Sequence, residues 1–142
     1  MNKMLSAQAR EEIVHAIEKA EQTTSGEIRI HIDQKGTSDA YNRAKYVFEK
    51  LGMTKTSERN GVLIYICFTA RQIVILGDQG IYNLVPENFW DDTYQLIAQH
   101  FKQAEYVKGL SEAVTQIGMK LSQFFPANGP QKNELTNEIS EA

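Results

Sequence analysis

The chain has 142 residues, 42% of them hydrophobic, and fifteen Lys and Arg against eighteen Asp and Glu give a formal net charge of -3. That length suits one domain with a sizeable core, and the lack of a basic footprint argues against nucleic acid as a partner. Cys67 is the only cysteine, so an internal disulfide is excluded.

The N-terminus, MNKMLSAQAREE, lacks the apolar region of a secretory signal, and no apolar run approaches a membrane-spanning length. The expectation is a soluble cytoplasmic protein without membrane insertion. Ser6 is placed to cap a helix running to about Gln22, with Ala9, Ile13, Ala16 or Ile17, and Ala20 as its apolar stripe. The stretch EIRIHID, residues 27–33, then alternates Ile28, Ile30 and Ile32 with polar residues, which predicts a strand with one buried face. Ser38 or Asp39 can cap a second helix carrying Tyr41, Ala44, Phe48 and Leu51, and Gly52 suits its C-terminal end.

Val62 to Phe68 is apolar on both faces, as in a central strand covered by helices. Thr69–Ala70 turns the chain into Gln72 to Leu76, a strand running back. Pro86 opens a third helix with Trp90, Tyr94, Ile97 and Phe101 on one face, and Leu110, Val114, Ile117, Leu121 and Phe124 mark the last. The sequence predicts one α/β domain over residues 1–125, followed by a polar, disordered tail over 126–142. The first two strands should be parallel and the third antiparallel, in a small mixed sheet.

Chain direction then gathers polar residues at one edge of that sheet. The second strand starts after Asn60–Gly61 and the third ends at Gly77–Asp78. The first strand starts at Glu27 on the same side. Glu27, Arg59, Asn60 and Asp78 therefore converge, and the third helix begins nearby with Glu87, Asp91 and Asp92. The helix dipole favours acids at a helix start, which is one explanation of the last three. Clustered carboxylates also suit a hard cation such as Ca2+ or Mg2+, with Asp78, Asp91, Asp92, Glu27 and Asn60 as candidate ligands. Arg59 either pairs with a neighbouring acid or clamps an anionic substrate. Gly77 and Gly80 bracket Asp78 in a tight turn.

Other chemistries find less support. His15, His31 and His100 form no zinc set, and Ser25, Ser38 and Ser57 have no histidine evidently placed to activate them. Cys67 reads as a small core residue. Trp90 and Tyr94 read as core packing, or as an aromatic wall beside the edge.

Five segments together resemble the TPM domain family: TSGEIRI at 24–30, DAYNRAKYVFEKLGM at 39–53, RNGVLIYI at 59–66, RQIVILGDQGI at 71–81 and FW at 89–90. The likeness spans about residues 5–125 and points to the short, soluble bacterial branch. It implies a three-layer α/β/α sandwich, calcium binding as in bacterial members, and metal-assisted phosphatase activity as in the plant member. The family's polar positions fall on Glu27, Arg59, Asn60, Arg71, Asp78 and Trp90. Arg71 lies at the hairpin end of its strand, so topology leaves it outside the gathered edge. GDQGI stands where many exported members have a GYGLE-like turn, so the acid falls elsewhere in the turn.

Two functions follow as expectations. One is divalent-cation binding, calcium first, with Asp78 and Arg59 as candidate catalytic residues toward a phosphorylated small molecule. The other is a non-catalytic interaction or assembly module for an unidentified protein.

Overall fold

A computed structural model describes residues 5–127 and 135–142 of the chain. Helix α1 spans Ala7–Glu21, and the Ser6 hydroxyl accepts from the Ala9 amide at 3.1 Å. Strand β1, Glu27–Ile32, leads to α2, Ala40–Lys50, where Asp39 accepts from the Asn42 amide. Gly52 then takes a left-handed φ of 75°, a conformation that glycine adopts without a Cβ penalty. A 3-10 turn at Met53–Lys55 precedes β2, Gly61–Cys67, and β3, Gln72–Gly77. The short α3, Gln79–Tyr82, is followed by α4, Glu87–Lys102, and α5, Tyr106–Phe124.

The sheet order is β3-β2-β1-β4, where β4 is Ser140–Glu141. β1 and β2 are parallel, and β2 and β3 form an antiparallel hairpin, as chain direction predicts. Ile28, Ile30 and Ile32 of β1 and Val62, Ile64 and Ile66 of β2 pack with Ile13, Ile17, Ile97 and the stripe of α5. On the other face Leu63 and Tyr65 pack with Ala44, Val47, Phe48 and Met53. The result is the expected α/β/α sandwich with a mixed sheet. α1, α4 and α5 share one core, and α2 covers the other face.

Two sequence expectations change. β1 is buried at all six positions, not on one face alone. The end of the chain is responsible. Leu135 donates its amide to Glu27, Arg29 donates to the Glu138 carbonyl, and His31 is 2.9 Å from the Ser140 hydroxyl. Residues 135–142, expected within a disordered tail, thus include a parallel fourth strand along β1. Ala142 donates to the Ile32 carbonyl and accepts from Gln34, while Arg10 grips Glu141 through two 2.9 Å hydrogen bonds. The part of the tail expectation that falls on 128–134 lies outside the described residues.

Candidate functional site

The predicted edge forms. Glu27 is in register with Gly61, Val62 is in register with Gly77, and the Asp78 amide donates to the Gly61 carbonyl at 2.9 Å. Arg59 sits above it with a φ of 52°. Its Nε and Nη2 donate to the two Asp78 oxygens at 2.6 and 2.9 Å, a two-pronged pairing that fixes both groups. Asp78 Oδ1 also accepts from the Gln79 amide and starts α3. Of the two roles expected for Arg59, pairing with an acid is therefore the one in place. Gly80 makes this closeness possible, because its amide donates to the Arg59 carbonyl at 2.7 Å.

Asn60 lies beside this pair and is 1% exposed. Its Nδ2 donates to Ser25 Oγ at 3.2 Å, and the Ser25 hydroxyl in turn donates to the Glu58 carboxylate. Asn60 Oδ1 is buried and accepts no hydrogen bond from the described residues, and the same holds for Thr56 Oγ1. An acceptor left this way costs about 1–3 kcal/mol, so a positive partner would be welcome there. Glu58 escaped sequence reasoning, and Ser25 was set aside there because the search was for a histidine rather than a carboxylate near each serine.

Glu21, at the end of α1, borders the same region and accepts from the Ile28 amide at 2.7 Å. Burial, aided by the charges of Glu27 and Glu18, pushes its carboxyl up to about 8 against the pull of that amide.

Asp91 and Asp92 do not join Asp78 in one cluster. Both lie a turn beyond the start of α4, so among the acids there the dipole argument applies to Glu87 alone. Glu87 and Asp91 line a hollow of about 470 Å³ with Gly77, Gln79, Tyr82 and Trp90. Asp92 instead faces Asn88, at 3.5 Å. Trp90 is the aromatic wall, stacked on Tyr82 at 6.0 Å, while Tyr94 lines a separate cavity. Gly77 belongs to this arrangement, since a Cβ there would meet the Trp90 ring at 2.7 Å. Among the described residues, no three His, Cys, Asp or Glu side chains are grouped to hold a metal ion. A cation at this edge would have to rely largely on neutral oxygens beside a carboxylate such as Glu58, and Asn60 Oδ1 fits that requirement.

A second polar centre lies at the opposite end of β1 and was not foreseen. Asp33 is bound by Arg43 at 2.7 and 3.0 Å, by the Tyr65 hydroxyl and by His31 Nε2 at 2.8 Å. Burial alone would raise the Asp33 carboxyl, but these three partners outweigh it and hold it well below the usual carboxylate range. His31 Nδ1 then meets Ser140, so the network ties α2, β2 and β4 to β1. With every Asp33 oxygen engaged, the network reads as a clasp for the end of the chain. A surface hollow of about 1040 Å³ is an open groove between α1 and α5, and none of the predicted site residues lines it.

The sequence profile of the TPM domain matches residues 1–120. The fold is similar to the NMR structure of the BA42 protein from the psychrophilic bacterium Bizionia argentinensis. That match has a TM-score of 0.92 at 39% identity and covers 100% of this chain and 98% of the other. The N-terminal domain of a Corynebacterium glutamicum protein has a TM-score of 0.66 at 13% identity, with 92% and 81% of the two chains covered. An N-terminal domain from P. gingivalis has a TM-score of 0.67 at 18% identity, with 84% and 78% covered. These last two share the fold alone. No curated protein sequence matches.

Proposed function

Because this chain belongs to the TPM domain family, we propose that it is a divalent-cation-binding module whose cation, calcium first, is held at the strand-start edge around Asn60. The observation that carries this reading is Asn60 Oδ1, a buried oxygen beside Ser25 and Glu58 with no donor among the described residues. A hard cation takes oxygen ligands of this kind, and Glu58 supplies the negative charge. Asp78, the leading sequence candidate, serves a different purpose in this reading: it fixes Arg59 and the start of α3. Few carboxylates face the edge, so binding should be weak and sensitive to ionic strength.

One contact favours a second reading, phosphoester hydrolysis assisted by the bound cation. The Ser25 hydroxyl donates to Glu58, which places a carboxylate where it could take the proton of an attacking oxygen. A bound cation would supply charge neutralisation at a phosphate.

Titrating metal-free protein with Ca2+ and then Mg2+, followed by residue-resolved NMR, tests the first reading. Saturable shifts should cluster at Ser25, Glu58 and Asn60 and vanish in Asn60→Ala. Shifts centred on Glu87 and Asp91 would move the cation to the neighbouring hollow, and flat or scattered shifts would discard the reading. The hydrolytic reading needs cation-dependent turnover of an aryl phosphate that Ser25→Ala abolishes.

A further inference from the structure

At the other end of the β2–β3 hairpin lies a cavity of about 660 Å³, within the size range of small-molecule sites. Phe68, Phe101 and Tyr106 form its aromatic floor, with ring centroids 5.0–5.3 Å apart. Tyr94, on α4 and 40% exposed, adds a ring at the wall. Two cations, Arg71 and Lys102, complete the lining, and among the described residues no acid does. Neither cation forms an ion pair with any described residue. In a chain with a net charge of -3, an acid-free cavity holding two uncommitted cations is a local exception.

The backbone singles out the same place. Among the described residues, three that are not glycine have positive φ: Arg59 at the edge described above, and Arg71 and Ala104 at 54° and 59°. Arg71 and Ala104 both line this cavity. Left-handed backbone in such residues costs energy and concentrates where a surface is held in a set shape.

We propose that this cavity binds a small organic anion with a flat apolar body, an aromatic carboxylate in its simplest form, its ring against Phe68, Tyr94 and Tyr106 and its charge between Arg71 and Lys102. Arginine suits a planar carboxylate because its donors form a fork, while lysine adds a point charge. The aromatic floor gives the body a face to stack on and excludes water from the ion pair. The site is independent of the cation reading, since it lies at the far end of β2 and β3 and shares no residue with the strand-start edge.

The test uses the full chain and three probes: naphthoate, its neutral isostere naphthamide, and acetate. Naphthoate should bind saturably, with NMR shifts clustered at Thr69, Arg71, Ala98 and Lys102. It should bind about tenfold more tightly than naphthamide, as expected of a charge-assisted contact. Acetate, with charge but no ring, should not saturate. Arg71→Gln and Lys102→Gln should each erase most of the advantage of naphthoate and leave naphthamide unchanged. Because both side chains project from the surface, unchanged spectra elsewhere will show that the variants fold. Equal binding of naphthoate and naphthamide, equal binding by the variants, or no saturation with naphthoate would each overturn the proposal.

Discussion

Gly80 shows how much one missing carbon can decide. Its φ is not left-handed, so conformational freedom is not the reason for glycine here. Close approach is the reason: a Cβ would run into the carbonyl oxygens of Glu58 and Arg59. Those atoms are backbone and cannot swing aside, so the loop carrying Arg59 and Asn60 would have to shift. Gly80→Ala should therefore cost about 1–3 kcal/mol, as overpacking does. It should also disturb the Arg59–Asp78 pairing, which spans the same gap. Urea denaturation would read the first effect, and the Arg59 side-chain NMR resonances the second. A variant with wild-type stability and an undisturbed Arg59 would show that α3 can move away freely.

Among the strands, β4 is the one that sequence patterning could not reveal. The helix stripes and the β2–β3 hairpin repeat at short range, so their periods are visible in a single sequence. The convergence of Glu27, Asn60 and Asp78 was legible too, because it follows from strand direction alone. The pairing of β4 with β1 instead joins His31 to Ser140, residues far apart in the chain, through a polar segment with no apolar repeat. The buried polar face of β1 was hidden for the same reason, since the segment that covers Glu27, Arg29 and His31 comes last. The Asp33 network draws on β1, α2 and β2, and no spacing in the sequence announces such a meeting.

A chain ending at Ala127 tests what β4 contributes. It would lose the backbone bonds of Ala142 to Ile32 and Gln34 and the Arg10–Glu141 pair, and it would expose one edge of β1. At about 1 kcal/mol for each backbone bond, the loss should be on the order of 2 kcal/mol. Amide exchange should quicken at Gln34 and stay slow in β2. Unchanged exchange at Gln34 would mean that the last strand is not docked in solution.

At the scale of the molecule, Glu21 and Asp33 pull stability in opposite directions along the pH axis. Asp33 is held below its ordinary value of 3.8 in the folded protein. Its contribution is thus present above that value and is lost as pH falls through the acid range. Glu21 is the reverse case, raised from 4.5 to about 8 mainly by burial. Below pH 4.5 both folded and unfolded chains keep the Glu21 proton, and its contribution is complete. Between 4.5 and 8 the unfolded chain gives up that proton while the folded chain retains it, so stability declines as pH rises. Each pH unit of that mismatch is worth up to about 1.4 kcal/mol, and partial solvent access to Glu21 makes a total on the order of 2–4 kcal/mol reasonable. Stability should therefore peak on the acid side of neutrality. Glu21→Gln keeps an oxygen for the Ile28 amide but cannot ionise. It should flatten the decline between pH 5 and 8 and exceed the parent in stability at pH 8, as read by urea denaturation at several pH values. Parallel curves for parent and variant would show that Glu21 is already ionised in the fold, and the alkaline limb would need another source.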